Sequence, residues 1–206
     1  MKLYGSPVST CTRKALFVLA EKGASFDFVP VDLAKREHKS PEHLARQPFG
    51  VVPVLEDDGF RLYESRAIVR YLDARLPGAA LVPADLRDRA RMEQWISVES
   101  SYFSPPAMRA VMNLFYAKMS GGQHDPAVVA KGTEEAGKAL DVLERALDGA
   151  EWLAGSFSLA EVCYAPYLQY LVDLGQGDVV TSRPNVAAWW NRVSARPAWQ
   201  KAIGRG

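Results

Sequence analysis

The chain has 206 residues, with 25 Lys plus Arg against 24 Asp plus Glu and a formal net charge of +1. That balance leaves no basic footprint for nucleic acid. With 48% apolar and 24% charged residues, the composition also excludes a disordered chain or a small disulfide scaffold as the main architecture. At roughly 100 to 200 residues per domain, the length permits one domain or two small ones.

The first 75 residues alternate short apolar runs with helical patterns. Lys2 to Gly5 reads as a strand, and Thr10 to Lys22 as a helix carrying Ala15, Leu16, Leu19 and Ala20 on one stripe before Gly23. Phe26 to Val31 returns to β-compatible residues, and a polar helical stretch follows from about Arg36 to Arg46. Val51 to Glu56 and Phe60 to Tyr63 read as two strands joined at Asp57-Asp58-Gly59, because Asp-Gly supplies the positive φ of a tight hairpin. Ser65 to Arg75 is helical again. The order βαβαββα needs one parallel crossover and antiparallel turns, so a mixed four-stranded sheet is expected over residues 1–76.

From Leu76 to Pro83 the composition shifts to Leu-Pro-Gly-Ala-Ala-Leu-Val-Pro, and residues 77–85 read as a linker. No strand pattern follows, so residues 86–206 are expected to form an all-helical domain. Leu86 to Met119 is one long pattern interrupted near Pro105-Pro106, where missing donors and ring clashes break or bend a helix. Pro126 to Leu147 sets Ala136, Leu140, Leu143 and Leu147 on one face. A third helix starts at Ser158, where Ser158-Leu-Ala-Glu161 fits a capping box and Phe157 with Val162 fits a hydrophobic staple; Pro166 falls inside it. Val186, Trp189, Trp190 and Val193 mark a last short helix ending near Arg196-Pro197.

The two cysteines, Cys11 and Cys163, form no CxxC pair and no metal spacing, which points to a reducing, cytoplasmic compartment. The N-terminus lacks a signal-type apolar core, and no apolar run approaches the ~20 residues of a membrane span, so a soluble protein is expected. None of the three histidines stands at a metal spacing.

A βαββα-type order with a proline before the third strand invites comparison with thioredoxin-like folds. The turn after the first strand would carry CxxC in a redox member, but here it reads Ser9-Thr10-Cys11-Thr12. A dithiol mechanism lacks its second cysteine, and a hydroxyl at a helix N-terminus remains. From the residues alone, Ser9 is either an ordinary N-cap or a group with chemical work.

The segments KLYGSPVSTCTRKALFVLAEKG (2–23), EHKSPEHL (37–44), PFGVVPVLEDDGFRLYESRAIVRYL (48–72), WISVESSYFSPP (95–106) and GSFSLAEV (155–162) together resemble a cytosolic glutathione transferase. The likeness is to the phi class, best known from plants, and it spans nearly the whole chain in order. It implies a thioredoxin-like N-terminal domain that binds glutathione and a helical domain that receives hydrophobic electrophiles. Glutathione is the co-substrate, and no bound cofactor or metal is expected. By the same resemblance Ser9 donates its hydroxyl to the glutathione sulfur, which suits a thiol whose pKa must fall before it becomes a nucleophile.

Further roles follow from the resemblance. Val52 precedes a cis Pro53 and turns its backbone to the cysteinyl part of the tripeptide. Ser65 takes the γ-glutamyl carboxylate and Glu64 the amino group, a natural pairing at a helix start. His38 and Lys39 hold the glycyl carboxylate, whereas His43 is the weaker ligand candidate and His124 looks incidental. The electrophile pocket is expected to draw on Val8, Thr10, Phe103, Met112, Phe115 and Tyr116, although a Met and aromatic stripe at helical spacing is equally a core.

Two departures stand out. Val51 occupies a position where the family usually has Gln or Lys, which removes one contact and predicts weaker glutathione binding. Glu161 replaces the commoner Asp of the capping box. The resemblance further implies a homodimer, with Phe49 as the loop aromatic that inserts between partner helices, and reduction of organic hydroperoxides as a second use of the thiolate. Two other readings stay open at this stage: thiol transfer through Cys11, and a non-catalytic glutathione- or ligand-binding protein.

Overall fold

The computed structural model describes residues 1–205. They divide into two units, one of Met1–Ala80 joined by the stretch from Arg196 onward, the other of Leu81–Ala195. The first unit contains β1 (Lys2–Gly5), α1 (Thr10–Glu21), β2 (Asp27–Pro30), a one-turn 3-10 helix (Glu37–Lys39), α2 (Pro41–Arg46), β3 (Val54–Asp57), β4 (Phe60–Tyr63) and α3 (Ser65–Arg75).

Its strands form one sheet in the order β2-β1-β3-β4, with β1 parallel to β2 and antiparallel to β3, and β3 antiparallel to β4. Asp57 pairs with Phe60, so the hairpin loop is Asp58-Gly59, with φ of 47° and 84°. Two successive positive φ values are what a right-twisted two-residue hairpin needs, and Asp-Gly meets that at low steric cost. Leu3, Val54, Leu55, Ile68, Val69 and Leu72 are fully buried. Each such side chain contributes about 1.5–3 kcal/mol relative to exposure.

Helix α1 is packed by α3 on one side and by a later helix, α10 (Pro197–Ala202), on another. Burial on two sides explains a departure from the expected stripe. Phe17 and Val18 are fully buried with Ala15 and Leu19, whereas Leu16 and Ala20 are only half-buried. The ends of α1 and α3 are tied by a buried ion pair, Lys22 Nζ to Asp73 Oδ1 at 2.7 Å.

The expected helix over residues 36–46 is split. Arg36 is in the left-handed region with φ 59°, and Ser40 is extended and caps α2 by accepting from the His43 amide at 3.2 Å. Pro41 sits in the first turn, where its missing N–H costs nothing, but it biases Ser40 away from helical ψ.

The second unit contains α4 (Leu86–Val98), a π-helical turn (Glu99–Phe103), α5 (Ser104–Ser120), α6 (Pro126–Ala146), α7 (Leu159–Asp173), α8 (Asp178–Thr181) and α9 (Pro184–Ser194). The break expected at Pro105-Pro106 falls one turn earlier. Two adjacent prolines remove the donors that would reach the carbonyls of Ser101 and Tyr102, and the coil widens there, with the Ser104 amide bonding Glu99 O. Gly132 allows α6 to approach α5 closely, since a methyl there would lie 2.8 Å from Pro106 O and 2.9 Å from Ala110 Cβ.

The capping box at the start of α7 forms as the sequence expects. Glu161 is wholly buried and accepts from Leu153 N, Ser158 N and Ser158 Oγ at 2.9, 2.9 and 2.7 Å, and from Trp189 Nε1 at 3.4 Å. Burial pushes its carboxyl up, against the pull of the Leu153 and Ser158 donors. The ring of Phe157 packs edge-on against Trp152, with centroids 5.4 Å apart. Helix α7 runs unbroken through Pro166.

The sequence expectation assigned everything from residue 86 to 206 to the helical domain and ended the last helix near Pro197. The structure corrects both points. Pro197 starts α10, which returns to the first unit: Trp199 is fully buried with its ring 5.1 Å from that of Phe17, and Arg196 makes two bonds to Glu21, at 2.6 and 2.9 Å. The short α8 was not foreseen either. Among the described residues no helix is long and apolar enough to cross a membrane.

Candidate functional site

Strand register gathers four segments at one end of the sheet. Gly5 closes β1 opposite Pro30, the last residue of parallel β2. Tyr4 pairs with Val54, so Val52-Pro53 enters at that same end, and Val54 pairs with Tyr63, so Glu64-Ser65 leaves there. The turn bearing Ser9, Val52-Pro53 and Glu64-Ser65 therefore share one end of the sheet with the chain leaving β2, and His38 and Lys39 further along that chain lie against the loop before Val52, at Gly50 and Phe49 O.

The Ser9 turn is tightly built. Gly5 leaves room for Thr12, whose Cγ2 would be 2.5 Å from a methyl at that position, and Thr12 Oγ1 accepts from Ser6 N at 3.3 Å. Ser9 N donates to Ser6 O at 2.9 Å, and Arg13 Nε donates to Pro7 O at 2.8 Å. Ser9 is extended, with φ −76° and ψ 126°, and its Oγ accepts from Thr12 N at 3.3 Å as the N-cap of α1. Capping engages a lone pair of the hydroxyl and leaves its proton available to donate. Being an N-cap and being a donor to a thiolate are thus compatible roles, not rivals. Cys11, half-buried, lies inside α1, and Cys163 is buried in α7.

At the start of α3, Glu64 has φ 72° and ψ 109°, and its side chain makes no capping bond. A non-glycine residue held at positive φ costs about 1–3 kcal/mol and persists only where its surroundings impose it. Ser65 is buried at the first helical position, and Glu64 is exposed beside it. A helix start left uncapped by its own N-cap side chain is a receptor for a carboxylate, and the neighbouring carboxylate offers an ammonium partner.

The Val52-Pro53 peptide bond is cis, and both residues are buried. Val51 is 45% exposed. Lys39 does not project freely: its Nζ donates to Phe49 O at 3.0 Å. His38 is half-buried with Nδ1 buried and unpartnered, and burial, followed by the charges of Lys39, His43 and Arg36, holds its imidazole below the ordinary range. His43, the weaker ligand candidate in the sequence, is buried and bonds Val51 O at 2.8 Å through Nε2. Nothing in its sequence position distinguished that contact from a surface helical histidine.

The residues expected to line an electrophile pocket fare unequally. Phe103 is fully buried in the second unit, its ring 5.1 Å from Tyr164 and 6.3 Å from Tyr167, so it belongs to the core and not to an open cavity wall. Thr10 is buried too. Val8 and Tyr116 are exposed, and Met112 and Phe115 are half-buried, Phe115 lying edge-on to Tyr170 at 6.0 Å.

Comparison with known proteins identifies the family. A family model described as "Glutathione S-transferase, N-terminal domain" matches residues 1–74, and one described as "Glutathione S-transferase, C-terminal domain" matches residues 100–197. Glutathione S-transferase F9 of Arabidopsis thaliana is 37% identical over 100% of this chain and 97% of its own length. Glutathione S-transferase 3 of Zea mays is 42% identical over 98% of this chain and 93% of its own. The crystal structure of glutathione transferase F7 from Populus trichocarpa superposes with a TM-score of 0.93 at 39% identity, covering 100% of this chain and 99% of that one.

Proposed function

This chain belongs to the glutathione S-transferase family, phi class, and from that premise we propose that it joins the sulfur of glutathione to hydrophobic electrophiles, with Ser9 as the residue that activates the thiol. The thiol proton leaves to solvent, the thiolate attacks an electrophilic carbon, a C–S bond forms and the leaving group departs with its electron pair. The observation that carries the role of Ser9 is its geometry: an N-cap whose hydroxyl proton is uncommitted, at the positive end of a 12-residue helix. Both the dipole and the donor favour a thiolate over a thiol.

Around that centre, Ser65 and the start of α3 suit the γ-glutamyl carboxylate, Glu64 the ammonium, the backbone of Val52 the cysteinyl amide, and His38 with Lys39 the glycyl carboxylate. Lys39 has three donors, so its bond to Phe49 O does not prevent it from also meeting a carboxylate. Glutathione serves as co-substrate, with no cofactor. Reduction of organic hydroperoxides is the companion activity of the same thiolate: two glutathiones supply the electrons, yielding an alcohol, water and glutathione disulfide. A reducing, cytoplasmic setting suits the two free thiols.

We further propose a homodimer. Phe49 supports this reading, since its ring is 67% exposed in the loop before Gly50, lying edge-on to Tyr63 with centroids 6.3 Å apart, and is free to be covered by a second copy.

Retention on immobilised glutathione, followed by turnover of an aryl halide and of a hydroperoxide, tests the function. Retention with turnover supports it. Retention without turnover identifies a binder, and absence of both overturns the reading. A monomer by sedimentation equilibrium overturns the dimer.

A further inference from the structure

The loop Gln47–Val52 carries the backbone assigned above to the cysteinyl part of glutathione, yet it has no sheet pairing before Val54. Its position is fixed instead by side chains of the preceding segment and of the loop itself. Lys39 Nζ holds Phe49 O at 3.0 Å, and Gln47 Oε1 holds Phe49 N at 2.6 Å. Gly50, with φ 58°, is pressed so closely on that segment that a methyl would lie 2.8 Å from His38 O.

The last anchor is the buried imidazole of His43. Its Nε2 lies 2.8 Å from Val51 O, and a carbonyl can only accept, so Nε2 carries the proton. This bond fixes the residue next to Val52 from α2, an element that shares no strand pairing with it. The Val51 side chain is apolar and cannot itself bond a peptide ligand, so in this chain the main chain must do the recognition.

We infer that His43 is a positioning residue for glutathione: it holds the Val51-Val52 backbone in register for the cysteinyl amide without touching the ligand. The inference rests on the proposed glutathione site. The contact acts on ground-state and transition-state binding alike, so its loss raises the glutathione KM and leaves kcat alone.

The test is steady-state kinetics of aryl-halide conjugation by the wild-type chain and by His43→Leu, His43→Gln and His43→Asn. Removing one neutral hydrogen bond predicts about a three- to tenfold rise in glutathione KM for His43→Leu. Its kcat and its KM for the aryl halide stay at wild-type values. The His43→Gln amide reaches the place of Nε2 and restores most of the affinity, whereas the shorter His43→Asn does not.

An unchanged glutathione KM in His43→Leu overturns the inference, as does a loss confined to kcat or shared equally by both substrates. Should His43→Leu fail to fold, the comparison of His43→Gln with His43→Asn decides, and equal KM values overturn it. A wild-type chain that fails to bind glutathione refutes the underlying site, a result distinguishable from wild-type binding with unaltered variants.

Discussion

Replacing Ser9 separates two functions of one hydroxyl. In Ser9→Ala both are lost: the Thr12 amide loses its cap, and the thiolate loses its donor. The cap bond is long, 3.3 Å, so its loss belongs near the middle of the usual range, about 1 kcal/mol. A hydrogen bond to a charged sulfur is worth about 1.5–3 kcal/mol, equivalent to a rise of about one to two units in the thiol pKa. At neutral pH that lowers the thiolate fraction, and hence kcat/KM, about ten- to a hundredfold.

Ser9→Asp is the discriminating variant. An aspartate caps a helix as well as serine does and so keeps the stability, but ionised it has no proton to donate and repels the thiolate. Stability is read by thermal unfolding and activation by the pH dependence of kcat/KM for aryl-halide conjugation. The expected pattern is a lower Tm in Ser9→Ala alone and an acid limb displaced to higher pH in both. A Ser9→Asp enzyme with the wild-type pH profile refutes the assignment of Ser9 as donor, since loss in Ser9→Ala with retention in Ser9→Asp is what a cap-only role gives.

Other sites give sharp outcomes as well. Glu161→Ala leaves the buried donors of Leu153, Ser158 and Trp189 without their acceptor; a loss of about 3–5 kcal/mol is expected by denaturant unfolding, with Glu161→Gln intermediate because its amide keeps one acceptor oxygen. Val51→Gln adds a polar side chain at an exposed position beside the proposed site and should tighten glutathione binding by calorimetry; an affinity no better than wild type removes the idea that this position weakens it. His38 is held below its ordinary pKa of 6.5 by burial, so the unfolded chain protonates first as pH falls and stability drops through and below that range. Tm of the wild-type chain should therefore fall more steeply between pH 7 and 5 than that of His38→Gln, and parallel curves contradict the burial effect.

Local chemistry made much of the fold readable. Asp58-Gly59 specified a two-residue hairpin, and Ser158 with Glu161 specified a helix start, because each signal is satisfied by neighbours a few residues away. Failures share the opposite property. Whether Phe103 lines a cavity or fills a core depends on Tyr164 and Tyr167, some sixty residues on, and nothing in its helical spacing encodes them. The π-helical turn came from a conflict between two prolines and the carbonyls behind them, resolved by widening and not by breaking. Helix α10 was missed because six residues beginning with a proline carry little periodicity of their own.

For the candidate site, the placement of Ser9 at the start of α1 and of Glu64-Ser65 at the start of α3 was legible, since strand-to-helix junctions show in local residue patterns. The engagement of Lys39 with Phe49 O and of His43 with Val51 O was not. Both join side chains to backbone atoms across a loop, and a backbone acceptor has no signature in sequence.

The route of α10 back to α1 has a consequence for synthesis. A unit made of Met1–Ala80 and the stretch from Arg196 is interrupted by the whole of Leu81–Ala195, so it cannot be completed in the order in which it is translated. The face of α1 around Phe17 stays uncovered on the nascent chain until Trp199 emerges, and Glu21 waits as long for Arg196. The helix capped by Ser9 is therefore among the first segments made and among the last to be fully packed.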